Sequence, residues 1–180
     1  MEKIHEFAEK YGVLGEIYDD VWIDFGHNRT LALQHAYGKS DWLYIFDADD
    51  RVIGDFVVPT FDKQNGINAY MVQMSAQNVS IYYSRVMFVN NHLKWKYVGV
   101  VHEYITLVNT SSVAVASASS VASASSAATS LTTELIDGNY YILSGKHGAR
   151  SKNPEKYYLD ALLLEKAYQQ ELNKLEKGLD

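Results

Sequence analysis

Trp42-Leu43-Tyr44-Ile45-Phe46-Asp47-Ala48-Asp49-Asp50 is the stretch around which the other segments fall into place. Its first five residues are apolar or strand-favouring and uncharged, so they predict a buried strand. Its end puts three carboxylates into four positions. Carboxylates are costly to bury unless something neutralises them. An apolar strand running out into clustered carboxylates predicts a cation site at the strand's carboxyl end, where open α/β sheets place their ligands. Oxygen-only donors suit Mg²⁺ or Mn²⁺, held by one or two carboxylates and completed by phosphate oxygens. The competing reading is an acidic turn with a solvated face.

Upstream of this stretch, Ile4, Phe7, Ala8 and Tyr11 share a stripe and predict a helix over 2–11, stopped by Gly12. Val13 to Tyr18 reads as a short strand. Asn28 is the expected N-cap of a second helix striped by Leu31, Ala32, His35 and Ala36, with Gly38 as its stop. Strand, helix, strand makes a βαβ unit, which predicts a parallel pair between 13–18 and 42–46.

Downstream, 51–60 reads as a loop or short helix ending near Pro59. Strands are expected over 69–74, 79–89 and 93–108, all rich in aromatic and β-branched residues. Gly66-Ile67-Asn68 and Asn90-Asn91-His92 are turn-like. This half predicts a mixed or antiparallel sheet. Residues 111–130 are a low-complexity Ser/Ala tract in which VASASS occurs twice in tandem, and they read as a flexible loop. Residues 134–143 predict a hairpin turning at Asp137-Gly138. A final helix is expected over 154–177, with Asn153 as N-cap and Pro154 at its first position. Its stripe is Ala161, Leu164, Tyr168, Leu172, Leu175 and Leu179.

The totals bound the function classes. A length of 180 residues at 47% hydrophobic suffices for one domain with a real core and a small appendage. A net charge of -6 argues against an extended nucleic-acid surface. The chain contains no Cys, which excludes disulfides and Cys-ligated zinc and leans toward a reducing compartment; a cytoplasmic location is expected. No apolar run reaches membrane-spanning length.

Four pieces, WIDFGHNRTLALQHA, DWLYIFDADD, YVGVVHEYI and SGKHGARSKNPEKYYLDALLLEKA, occur in this order. Together they resemble the family-2 glycosyltransferases of GT-A fold, above all the subgroup in which that domain precedes tetratricopeptide-type repeats. The resemblance covers about 2–108 and 134–170 and leaves the Ser/Ala tract unmatched. It implies an α/β, GT-A-like (Rossmann-like) mixed sheet with flanking helices. Residues 1–150 would form that domain and 151–180 a C-terminal helix opening a helical appendage. The family's domain begins with a strand and a nucleotide-binding loop, so the resemblance implies a domain lacking its first strand.

The resemblance also implies an inverting transferase that uses a nucleotide-diphosphate-sugar donor and a protein, glycan or lipid acceptor. Asp47 and Asp49 match the family's Asp-x-Asp element, which binds a divalent cation and the donor. Asn28 and Arg29 match a pair at the start of the preceding helix, where Arg meets the anionic donor; the alternative is an ion pair from Arg29 to Asp24 or to one of the 47–50 carboxylates. His102-Glu103 matches the family's His-Glu. Glu103 is the expected base toward the acceptor hydroxyl, with His102 as the alternative. His147 matches a third metal ligand, and Lys146 and Arg150 would pair with the diphosphate. His5, His35 and His92 read as structural or surface residues. Two other readings compete. One is an inactive transferase-like fragment acting as a scaffold through its last helix. The other is a metal-dependent phosphoryl enzyme that would recruit Glu134 and Asp137.

Overall fold

The computed structural model describes residues 2–61, 66–76, 82–108, 130–145 and 152–178. In chain order the elements are α1 (Glu2–Tyr11), α2 (Phe25–Ala36), β1 (Trp42–Tyr44), β2 (Arg51–Gly54), β3 (Ala69–Ala76), β4 (Tyr82–Asn90), β5 (Trp95–Val98), β6 (Tyr104–Leu107), β7 (Thr133–Leu135), β8 (Tyr140–Ser144) and α3 (Lys156–Glu176). The chain is thus a mixed α/β protein with a C-terminal helix. Its main sheet runs β1-β4-β3-β8-β2, with β7 also on β3, and β5 and β6 form a separate antiparallel pair.

The sheet is built on β3 and β4, whose apolar residues face both ways. On one face Tyr70, Val72, Met74, Phe88, Tyr140 and Ile142 are buried, and Trp42, Phe56 and Phe61 pack over them. On the other, Ala69 and Val89 pack against Leu33 of α2 and against Trp95, Ile105 and Leu107 of the β5–β6 pair. Residues with neighbours on both faces read as near-continuous apolar runs rather than alternating ones, which is why the sequence pattern of 69–90 alternates imperfectly.

One irregularity redirects β4. Tyr70 pairs with Phe88 but Met71 pairs with Val86, so Met87 is an extra residue in the ladder. Such a bulge shifts the side-chain alternation beyond it by one residue. Val72 pairs with Arg85, so Arg85 shares the face of Tyr70 and Phe88 rather than that of Val89.

Residues 12–24 form no strand; Leu14 and Val21 are almost fully exposed. The parallel pair with 42–46 is therefore absent, and among the described residues β1 pairs only with β4, antiparallel. The 42–46 strand is shorter and less buried than its composition predicts: β1 ends at Tyr44, and Tyr44 and Phe46 are about 40% exposed. Residues 51–54 form β2, against the expected loop or helix, because they ladder onto β8. The single strand expected over 93–108 is broken at 99–103, where Gly99 and His102 take positive φ.

The 134–143 hairpin does not form. β7 and β8 both run parallel to β3, one after the other, and do not pair with each other. Burial of Ile136, Tyr140 and Ile142 against β3 holds both halves in one direction, and Asp137-Gly138 makes only a local bend between them. The α2 cap is Asp24, whose Oδ1 accepts from the His27 N–H at 2.7 Å, and not Asn28. Before α3, Asn153 Oδ1 accepts from the Glu155 N–H at 2.9 Å and 154–155 form a turn, so the helix starts two residues later than expected. Its stripe is mostly exposed: Leu164, Tyr168 and Leu175 are each about half exposed or more. Leu179 and most of the Ser/Ala tract lie outside the described residues. No described helix is long and apolar enough to cross a membrane.

Candidate functional site

Two close approaches bring the separated motifs together. Gly26, in the first turn of α2, lies against the Gly99 carbonyl; a Cβ there would stand 2.3 Å from that oxygen. Thr30 reinforces the contact. Its hydroxyl donates to Gly26 O at 2.7 Å and accepts from the Tyr97 N–H at 2.9 Å. The helix carrying Arg29 is thereby fixed to the turn that ends in Glu103. The second approach joins the acidic loop to the end of β8: a Cβ on Gly145 would stand 2.1 Å from the Asp49 carbonyl oxygen.

Arg29 is the centre of the resulting site. Its Nη2 donates to Asp47 Oδ1 at 2.7 Å, and its Nε meets Glu103 Oε1 at 2.9 Å. Its guanidinium lies 5.5 Å from the Tyr97 ring centroid, within cation–π range. Asp47 is held from the other side as well, with Oδ2 accepting from Arg85 Nη1 at 3.1 Å. Both oxygens of one half-buried carboxylate are thus taken by guanidinium groups.

The electrostatics follow from this geometry. Burial would raise the Asp47 pKa, but Arg29 and Arg85 outweigh it and hold the carboxyl below its ordinary value. Burial likewise works against the Arg29 charge; Asp47, Tyr97 and Glu103 more than compensate, so its pKa is raised.

Asp50 is the odd member of the cluster. It is only 6% exposed. Its Oδ1 accepts from the Gly145 N–H at 3.0 Å, while its Oδ2 is buried with no hydrogen-bond partner among the described residues. Burial pushes its pKa up, the Gly145 N–H opposes this, and the Asp47 and Asp49 charges add to the rise. Burial and the Asp50 charge also push the Tyr44 phenol up to about 12.

The structure therefore brings Arg29, Asp47 and Glu103 into one network and sets Asp49 and Asp50 beside it. Asn28 stays out of this network. Its side chain braces the preceding segment, with Oδ1 accepting from the Ile23 N–H and Nδ2 donating to Val21 O, each at 2.9 Å. His102 is exposed, with φ of 57°. Lys146, His147 and Arg150 lie outside the described residues, directly after Gly145. Glu134 and Asp137 are exposed. His35 stacks on Tyr18 at 3.8 Å and pairs with Asp20 at 2.9 Å. His92 pairs with Asp41 at 2.8 Å on the surface. Arg85 escaped the sequence reading, since only the bulge at Met87 turns it onto this face.

Whether these residues fit Mn²⁺ or Mg²⁺ turns on two observations. Among the described residues no group of three His, Asp or Glu side chains is placed to hold a metal. The acidic loop does supply carboxylate oxygens, and the buried Asp50 Oδ2 has no hydrogen-bond partner among the described residues. Both oxygens of Asp47 are already held by Arg29 and Arg85, so the described residues do not by themselves form a cation site. No family model matches the chain, and no curated protein matches it in sequence.

Proposed function

We propose that the chain is a glycosyltransferase domain of GT-A type, which moves a sugar from a nucleotide-diphosphate donor to an acceptor hydroxyl with inversion. One observation carries this reading: Arg29, Asp47 and Glu103, which come from three of the four matching motifs, meet in one ion-pair network. Chance motif matches scattered along a chain have no reason to converge.

In this reading Asp47 and Asp49, with His147, are the residues that would hold Mn²⁺ or Mg²⁺. The cation would offset the charge that develops on the departing diphosphate. The chain's own groups do the rest. Arg29, Lys146 and Arg150 bind the anionic donor. Glu103 takes the proton from the acceptor hydroxyl as its oxygen attacks the anomeric carbon and the bond to the diphosphate breaks. Arg29 aligns Glu103 through the 2.9 Å contact to Oε1. His102, beside it, is the alternative base.

The test compares two variants. Asp49→Ala should abolish metal-dependent donor binding, whereas Glu103→Gln should keep binding and lose transfer. Unchanged donor affinity in Asp49→Ala overturns the site assignment. A second reading, a scaffold built on a transferase-like domain, is favoured by one feature: the exposed apolar residues of α3, with Tyr157 at 80% and Tyr168 at 62% exposure.

A further inference from the structure

We propose that the chain binds a medium-chain aliphatic carboxylate in the apolar pocket between the last turns of α2 and the start of β5, with Lys94 at the rim taking the carboxylate. This pocket is separate from the Arg29 site, and the inference does not rest on the transferase reading.

The pocket follows from the way α2 lies on the β5–β6 pair. The first half of the helix is held close, through Thr30 to Tyr97 and through Gly26 to Gly99. Toward the other end the seam opens into a pocket of about 330 Å³, a size that suits a small organic ligand. Leu33 and Trp95 line it and are 8% and 5% exposed. Leu43, Leu93 and Val108 complete the apolar lining.

The polar groups along this lining are already engaged. Trp95 Nε1 donates to the Asn90 carbonyl at 2.8 Å. Asn91 Nδ2 donates to Ala36 O at 2.8 Å and to Ser40 Oγ at 3.2 Å. The end of α2 is capped as well: Gln34 O accepts from the Tyr37 N–H at 3.3 Å, and Ala36 O accepts from the Lys39 N–H at 3.1 Å. Capped carbonyls present a weaker negative pole to an incoming anion. A ligand finds few free hydrogen-bond partners inside, so its buried part has to be apolar. The walls are mostly branched aliphatic side chains, which a flexible alkyl chain can follow.

Lys94 sets the charge of the ligand's other end. It carries the one formal charge among the described residues that line the pocket, and it is exposed. Its ammonium lies 5.9 Å from the Tyr37 ring centroid, a cation–π contact that keeps it at the rim. No carboxylate among the described residues pairs with it. An unpaired ammonium at the mouth of an apolar pocket is complementary to an alkyl chain that ends in an anion.

The test is calorimetric titration of the full chain with hexanoate, octanoate and decanoate, and with octanol and octyltrimethylammonium as neutral and cationic counterparts. The same titrations are run on Lys94→Gln and on Gln34→Trp, which puts a bulky ring on the lining. Both positions are exposed, so both variants should fold. The unmodified chain should bind one carboxylate per chain, about threefold more tightly for each added methylene. Octanoate should exceed octanol by about threefold or more. Lys94→Gln should erase that preference and keep octanol binding, whereas Gln34→Trp should weaken both. No saturable binding overturns the proposal, as does octanoate affinity unchanged in Gln34→Trp or a carboxylate preference that survives Lys94→Gln. Tighter binding of octyltrimethylammonium than of octanoate also overturns it. Self-association of the chain that Gln34→Trp abolishes, without octanoate binding, would mean that a second copy covers the pocket and would overturn it too.

Discussion

Arg29 Nη2 and Asp47 Oδ1 meet at 2.7 Å, joining the second turn of α2 to the acidic loop after β1. Through the same guanidinium, Glu103 on the far side of the β5–β6 turn joins the pair at 2.9 Å. The candidate site is therefore also a structural clasp between three segments.

A double-mutant cycle measures that clasp. Arg29→Ala and Asp47→Ala, singly and together, should show a coupling of about 1 kcal/mol in urea unfolding, the upper range for a partly exposed pair. Additive effects within about 0.3 kcal/mol would mean that the contact contributes nothing to folding.

Acid should separate Asp47 from Asp50. The folded pKa of Asp47 is lowered, so its stabilisation is fully present above the unfolded carboxyl value of about 3.9 and is lost as pH falls through the folded value. Asp50 has the opposite sign. Its folded pKa is raised, so the cost of its ionisation is absent well below about 3.9 and appears as pH rises through the folded value. Asp50→Asn keeps an acceptor for the Gly145 N–H and removes the charge. It should raise the thermal midpoint at pH 7, with the difference fading toward pH 3. A lower midpoint at pH 7 would contradict the account of Asp50.

Gly145→Ala probes the approach of β8 to the acidic loop. The added Cβ would meet the Asp49 carbonyl carbon at 2.6 Å and its oxygen at 2.1 Å. Backbone has to move, and a loss of about 1–3 kcal/mol in unfolding free energy is expected. Gly38→Ala, with open space around it but φ of 72°, should lose less, about 1 kcal/mol from backbone strain alone.

His102 sits at φ of 57°, a conformation costly for side chains branched at Cβ. His102→Gly should be tolerated or gain up to about 1 kcal/mol, whereas His102→Val should lose about 1–2 kcal/mol. Equal urea midpoints for the two variants would show that the turn does not hold this conformation in solution.

The sequence carried the local signals well and the long-range ones poorly. The helix at 2–11 and the body of the second helix, expected after Asn28, were legible from their stripes, as were the strands near 69–90. The acidic loop and Arg29 were legible because residue type and order mark them. Pairing was not. Val13 to Tyr18 has strand composition but no strand beside it, and composition cannot say where a partner lies. The 134–143 segment has a good hairpin turn, yet β3 offers both halves a neighbour that each cannot offer the other. Arg85 was invisible because a single unpaired residue, Met87, decides its face. Asp24 took the cap from Asn28 because a helix start depends on which of several capping residues the incoming chain can place.

Calorimetric titration with uridine- and guanosine-diphosphate sugars, in the presence and absence of Mn²⁺, on the unmodified chain and on Asp47→Asn decides whether the acidic loop serves a nucleotide-sugar site. Mn²⁺-dependent binding of one nucleotide class to the unmodified chain, lost in Asp47→Asn, is the expected result. Folded protein that binds neither class, with or without Mn²⁺, would contradict it.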